Sequence, residues 1–266
     1  MRITTWNVNG LRAALRKNPA FDSHLDVLSP DAVLLQEVRA TVDQLPWASP
    51  PGWSALWHPA ERAGYSGVAT WTRTPSELVS TGIDGEPDPE GRVLRVRAHG
   101  VELVNVYAPS GSAGPEARAR KDRWSERFLP FARTLAQAEH PVVLGGDLNV
   151  AHTERDIHDP RGNKNNSGFL PHERACFGAL LEAGWVDLVR VYVGDTQGPY
   201  SWWSNRGAAR ALDRGWRIDY LLGNAAAAAR LTHASIRREG GLDVSDHAPV
   251  TIELADPPTP AAEPAR

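Results

Sequence analysis

Asp147 and Asn149 follow the run Pro141-Val142-Val143-Leu144-Gly145-Gly146, with one apolar residue between them. On extended chain this spacing points an acid and an amide the same way. The run reads either as a core strand closed by a Gly-Asp turn or as a buried strand that stops at the glycines and delivers polar groups to a site. Glu37 ends a second apolar run, Ala32-Val33-Leu34-Leu35-Gln36. A carboxylate there is costly if buried unpaired, so it is either exposed at the strand tip or held by a divalent cation. Asn7 closes the strand-like Ile3 to Val8, Tyr107 closes Val104-Asn105-Val106, and Asp246-His247 precedes Val250 to Leu254. A lone histidine before a strand is usually structural, but beside an aspartate and among these strand ends it is a candidate catalytic imidazole.

The elements that must position these groups are short. Asn7-Val8-Asn9-Gly10 permits a sharp turn before a helix beginning near Leu11. Further strands are expected over Trp53 to Trp57 and Ser66 to Trp71, and Arg92 to Ala98 with Val101 to Val106 form a hairpin around His99-Gly100. From Pro115 to about Ala138 the pattern is helical, with Trp124, Phe128, Phe131 and Leu135 on one stripe. Pro130 is expected to kink or break that helix near Leu129. The arginines at 118, 120, 123, 127 and 133 lie off the stripe, as a solvated face or a nucleic-acid surface. His152 to Leu170 is a long polar loop, followed by a helix with Pro171 and Glu173 in its first turn and Gly184 as its stop. Trp202, Trp203 and Trp216 bracket a segment carrying Arg206, Arg210 and Arg214, a mixture that suits either a packed core or stacking on a nucleic-acid strand.

With 266 residues and 41% hydrophobic content, one domain over residues 1–255 is expected. The segment around Asp84 to Gly91 and the Pro/Ala-rich tail 256–266 read as unstructured. A net charge of -3 requires any nucleic-acid contact to use a local basic face. The single cysteine, Cys176, excludes an internal disulfide and a cysteine zinc cluster, suits a reducing compartment and is read as a small core residue. No stretch approaches the roughly 18 apolar residues needed to span a bilayer, and the start has no secretory pattern, so a cytoplasmic protein without membrane contact is expected.

Taken in order, the blocks Asn7-Val8-Asn9-Gly10-Leu11-Arg12, Leu35-Gln36-Glu37, Tyr65-Ser66-Gly67, Asn105-Val106-Tyr107-Ala108-Pro109, Gly146-Asp147-Leu148-Asn149-Val150-Ala151-His152, Gly162-Asn163-Lys164-Asn165-Asn166-Ser167-Gly168-Phe169, Trp216-Arg217-Ile218-Asp219-Tyr220 and Ser245-Asp246-His247 resemble the exonuclease III family of abasic-site (apurinic/apyrimidinic) endonucleases. The resemblance spans residues 2 to about 254. It implies a four-layer α/β sandwich of the deoxyribonuclease I type, two packed, mostly antiparallel sheets flanked by helices, with the site at one sheet edge.

The resemblance assigns Glu37 to a catalytic Mg²⁺, with Asn7 and Asp246 close by and Mn²⁺ as a substitute. A hard cation of this kind wants carboxylate and amide oxygens. Asp147, oriented by Asn149, would activate or position the attacking water; His247, held by Asp219, would bind the scissile phosphate; Tyr107 would contact that phosphate or assist the leaving oxygen. Trp202, Trp216 and Ile218 are expected to form an apolar pocket for the extruded, base-free sugar, with Arg12, Ser110, Asn163 and Asn166 also on the substrate. Ser110 stands where some relatives carry asparagine, and the loop Ser110 to Glu116 also differs from them. The implied partner is duplex DNA with abasic sites or blocked 3′ ends, cut 5′ to the lesion by a monomer that also trims 3′ ends as an exonuclease. Related nucleases, phosphoinositide phosphatases and sphingomyelinases share the Asn, Glu, Asp-x-Asn and Asp-His pieces, which alone fix only metal-dependent phosphoester cleavage. The Gly162 to Phe169 loop and the Trp216 region favour the DNA-repair branch. A non-catalytic DNA-binding relative is the remaining alternative, against which Glu37, Asp147, Asp219 and His247 all stand intact.

Overall fold

The computed structural model describes residues 1–17, 20–240 and 242–256. One six-stranded sheet contains β1 (Arg2–Asn7), β2 (Ala32–Gln36), β3 (Ser54–His58), β4 (Val68–Thr72), β13 (Leu231–Ile236) and β14 (Val250–Leu254), in the spatial order β13-β14-β1-β2-β4-β3. The other contains β5 (Glu77–Thr81), β6 (Val93–Ala98), β7 (Val101–Tyr107), β8 (Val142–Asp147), β9 (Val186–Asp187) and β12 (Asp219–Gly223), in the order β5-β6-β7-β8-β12-β9. A separate ribbon pairs β10 (Trp202–Trp203) with β11 (Gly215–Trp216). The helices are α1 (Leu11–Arg16), α2 (Ala20–Leu28), α3 (Pro115–Ala136), α4 (Pro160–Asn163), α5 (Pro171–Glu182), α6 (Leu188–Val193) and α7 (Ala225–Ala228).

Within each large sheet the strand pairs are antiparallel except one, β1 with β2 and β7 with β8. Parallel neighbours need a crossover, supplied by α1 and α2 in the first case and by α3 in the second. The carboxyl ends of these two pairs bring Asn7 opposite Gln36 and Tyr107 opposite Asp147.

The apolar runs are continuous because both faces of each strand are covered. Ile3, Leu34, Leu103, Val143, Leu221 and Ile252 form the layer between the sheets. Trp6, Val33, Leu35 and Trp71 face the other way with Leu11 of α1 and Phe21 of α2. Val104, Val142, Leu144 and Leu222 pack with Phe128 and Phe131 of α3 and Phe177 and Leu180 of α5. Each such side chain, fully buried, contributes about 1.5–3 kcal/mol. The result is the helix-sheet-sheet-helix layering that the resemblance implies. A buried polar tie also joins the sheets, Gln36 Nε2 donating to Asn105 Oδ1 at 2.7 Å while Asn105 Nδ2 donates to Ala69 O at 2.8 Å.

Several local expectations are corrected. β8 does not stop at its glycines but runs through both to Asp147. A Cβ on Gly145 would lie 2.6 Å from Leu221 and 2.7 Å from Leu34, and one on Gly146 (φ 151°) would overlap the Val106 carbonyl, so close sheet contact and strand pairing require them. Helix α3 continues across Pro130, which lies with Glu126, one turn earlier, on the exposed side of the helix. The segment 84–91 is ordered by Asp88, whose Oδ2 accepts from the Arg92 and Val93 amides at 2.6 and 3.0 Å. The 152–170 stretch holds a 3-10 turn (Glu154–Asp156) and α4. Cys176 is half-buried on α5 rather than in the core, and burial pushes its thiol up. The tail read as unstructured lies, apart from Asp256, outside the described residues.

Candidate active site

The sheet edge where the two parallel pairs end carries a cavity of about 650 Å³. Glu37 follows β2 and Asn149 follows β8, both in the left-handed backbone region, at φ 55° and 52°. Asparagine tolerates that conformation, whereas for glutamate it is held against a cost of roughly 1–3 kcal/mol. What holds the region is a chain of hydrogen bonds. Asn7 Nδ2 donates to Glu37 Oε2 and to Asp147 Oδ2, both at 3.0 Å, while its Oδ1 accepts from the Asn9 amide at 3.0 Å. The Asn149 amide donates to Asp147 Oδ1 at 2.9 Å, and its side-chain Nδ2 donates to Ala108 O at 2.9 Å. Asn149 thus orients Asp147 through its backbone.

Register places Asp219 of β12 opposite Asp147 of β8. Asp219 Oδ2 lies 2.9 Å from His247 Nδ1 and accepts from Ser201 Oγ at 2.7 Å. Ser201 Oγ in turn accepts from the amides of Ile218 and Asp219 at 3.0 Å, locking the carboxylate in place. His247 lines the cavity, so with Nδ1 engaged its Nε2 is the nitrogen left for a substrate. Asp246 Oδ1 accepts from Asn9 Nδ2 at 2.8 Å and Oδ2 from Trp202 Nε1 at 3.1 Å.

These contacts set the charges. Burial, and then the negative charge of Asp219, push the Asp147 carboxyl up to about 7, against the pull of His247 and the Asn149 and Asn7 donors. Burial disfavours the His247 imidazolium, but the charge and hydrogen bond of Asp219 outweigh it and raise the group to about 10. Burial, then the charges of Glu37 and Asp147, push the Tyr107 phenol well above its usual range. Near neutral pH the cavity therefore presents a cationic imidazole and a phenol as donors beside a carboxyl that can gain or lose a proton.

Asp147, Asp219 and His247 bring one ligand-type atom each within 4.8 Å of one another. Two carboxylates in that group, with Glu37 tied to Asp147 through Asn7, form an oxygen-rich set suited to a hard divalent cation. His247 Nδ1 is already paired with Asp219, which fits a charge-stabilised donor better than a ligand. Asn7, expected among the ligands, turns its nitrogen to the carboxylates and so acts as their tether.

The structure brings Trp202, Trp216 and Ile218 together on one side of the cavity. Trp202 and Trp216 meet edge to face at 6.1 Å, packed with Ile218, Ala151, Ile157 and Phe169. Ser110 and Asn166 also line the cavity. Arg12 and Asn163 do not: Arg12 is half-buried on α1 and directed at Arg39 O, 3.5 Å away, and Asn163 lies in a neighbouring cleft beyond Trp216, where it accepts from Asn166 Nδ2 at 2.8 Å.

The endonuclease/exonuclease/phosphatase family model matches residues 4–247, which includes every one of these groups. The chain belongs to the endonuclease/exonuclease/phosphatase family. Among relatives, an exodeoxyribonuclease of Bacillus subtilis is 39% identical over 253 residues, covering 95% of this chain and 98% of that one. The DNA repair nuclease APEX1 of Danio rerio is 38% identical over 263 residues, covering 96% and 82%. Among solved structures, a 3′-5′ exonuclease from Neisseria meningitidis superposes with a TM-score of 0.88 at 32% identity, over 96% of this chain and 100% of that one. An AP endonuclease from Archaeoglobus fulgidus gives 0.85 at 28% identity, over 96% and 99%.

Arg118 and Arg206, read from sequence as either solvated or packed groups or nucleic-acid contacts, line the cavity. Sequence reasoning missed two groups in this family member. Arg39 pairs with Glu37 and lines the cavity, outside the strand-end pattern. Arg92, buried, donates to Tyr107 O at 2.9 Å and stands 5.0 Å from the Tyr107 ring centre, fixing that phenol from behind. The Gly-Arg pair after a polar loop was the one local signal, and it was too weak to read.

Proposed function

We propose that this family member is a metal-dependent DNA-repair nuclease that hydrolyses the phosphodiester 5′ to an abasic site in duplex DNA and also trims 3′ ends as a 3′-5′ exonuclease. The observation that carries this reading is the shared cavity, in which His247, backed by the buried Asp219, and Asp147 stand beside the Trp202–Trp216 wall. The names of the relatives, exodeoxyribonucleases and AP endonucleases, support the same reaction class. A single catalytic domain over residues 1–255, acting as a monomer in the cytoplasm, completes the proposal; among the described residues no helix is long and apolar enough to cross a membrane.

In this mechanism Glu37, tied to Asp147 through Asn7, and Asp246 would hold Mg²⁺ or Mn²⁺. A bound cation of this class neutralises phosphate charge and positions the reacting oxygens. Asp147 takes a proton from the attacking water, a task suited to a carboxyl raised to about 7. His247, cationic because of Asp219, donates to a phosphate oxygen as negative charge builds there, and the Tyr107 O–H supports the same phosphate or the leaving oxygen. The Trp202, Trp216 and Ile218 wall selects a sugar without a base by shape, because an abasic nucleotide has little stacking to lose on extrusion. EDTA-sensitive nicking of abasic duplex by the purified chain tests this reading. Tight DNA binding with no nicking at any metal concentration would indicate a non-catalytic relative.

A further inference from the structure

Lys121 and Glu173 form an ion pair at 2.7 Å with side chains only 4% and 3% exposed. Lys121 is one of three lysines in the chain, and no reaction step described above uses it. Burying two charges is expensive, so such a pair survives where its remaining hydrogen bonds are satisfied. Here all the further partners belong to the segments that build the active site. Lys121 Nζ donates to the backbone carbonyl of Asn149 at 2.8 Å. Glu173 Oε1 accepts from Ser167 Oγ at 2.8 Å, and Oε2 from the amides of Gly168 and Leu170 at 2.6 and 3.1 Å. The two segments are also joined directly, the Ala151 amide donating to Gly168 O at 2.7 Å.

What is gripped is specific. Asn149 has left-handed backbone, its amide orients Asp147, and the cation on its carbonyl fixes the peptide on its other side. Gly168, at φ 93°, lies so close to Trp216 that an added Cβ would come within 3.0 Å of the ring. We propose that the Lys121–Glu173 pair is a positioning device, by which α3 and α5 set both the Asp147–Asn149 strand end and the floor beneath Trp216. This proposal rests on the nuclease reading for its kinetic consequence, though not for its structural one.

The test compares Lys121→Met, Lys121→Arg and Glu173→Gln with wild type, each alone and with Asp147→Asn. Lys121→Met is expected to lower kcat on abasic duplex at least about tenfold with KM changed less than about twofold. Lys121→Arg, which keeps the charge, should recover most of that loss. In the Asp147→Asn background Lys121→Met should cost little more, because Lys121 acts by placing Asp147. Amide hydrogen exchange of the DNA-free protein should accelerate in the peptides covering 148–170 and not in the sheets. Unchanged kcat, multiplicative losses with Asp147→Asn, or faster exchange spread over the whole chain would each overturn the proposal. Should Lys121→Met fail to fold, Glu173→Gln answers the same questions. If wild type itself cuts no abasic duplex, the nuclease reading has failed, and the exchange data alone decide whether the pair holds 148–170.

Discussion

Asp219 Oδ2 lies 2.9 Å from His247 Nδ1, with both side chains buried. The carboxylate supplies the charge that keeps the imidazole protonated, so Asp219→Asn should lower turnover by at least about 100-fold with little change in DNA affinity, toward the roughly 10⁴-fold loss that follows when a catalytic histidine loses its orienting acid. Single-turnover incision against binding by a folded variant checks this.

The same pair predicts a pH dependence of stability. In the folded state His247 is raised to about 10, above its ordinary 6.5. Its stabilising contribution is therefore fully present below about pH 6.5 and is lost as pH rises through about 10. Denaturant unfolding of metal-free protein should show the gap between wild type and His247→Gln narrowing across that window. A gap that widens with pH would mean that the folded state holds His247 neutral.

Glu37→Ala should raise the Mg²⁺ concentration needed for half-maximal cleavage much more than it weakens DNA binding, since Glu37 sits in the carboxylate set tethered by Asn7. A metal titration that superposes on wild type would remove Glu37 from the cation. Asp147→Asn should cost at least about 100-fold in turnover, as expected for loss of a positioned proton acceptor. Near-normal turnover of the folded variant would assign the water to another group.

Much of this site was legible because its groups close strands. Asn7, Glu37, Tyr107, Asp147, Asn149 and His247 each stand where an apolar run meets polar residues, and a strand end points its side chains at an edge whatever the rest of the fold does. Contacts that depend on which strands are neighbours were not legible. The Asn7–Asp147 bond spans 140 residues, and the Lys121–Glu173 pair joins two helices whose docking no local pattern specifies. The glycines of β8 look like a turn because their reason, the approach of Leu34 and Leu221, is tertiary. Arg12 and Asn163 sit within matching blocks yet fall outside the cavity, since a block fixes neighbourhood along the chain and not side-chain direction.

Trp216→Ala should reduce selectivity more than total phosphodiesterase capacity, because the ring forms an edge-to-face wall with Trp202 and is not fully buried. The ratio of abasic-site incision to exonuclease rate, taken at matched salt because phosphate contacts make both rates salt-dependent, is expected to fall. An unchanged ratio with both rates lowered together would make the ring packing alone.

The most direct measurement uses a synthetic duplex with one abasic analogue beside an undamaged duplex of the same sequence, each incubated with wild-type protein with Mg²⁺ and with EDTA. A single cut on the 5′ side of the analogue, dependent on Mg²⁺ and absent from the undamaged duplex apart from slow 3′-end trimming, is the predicted result. Equal internal cutting of both duplexes, or cutting that survives EDTA, would contradict it.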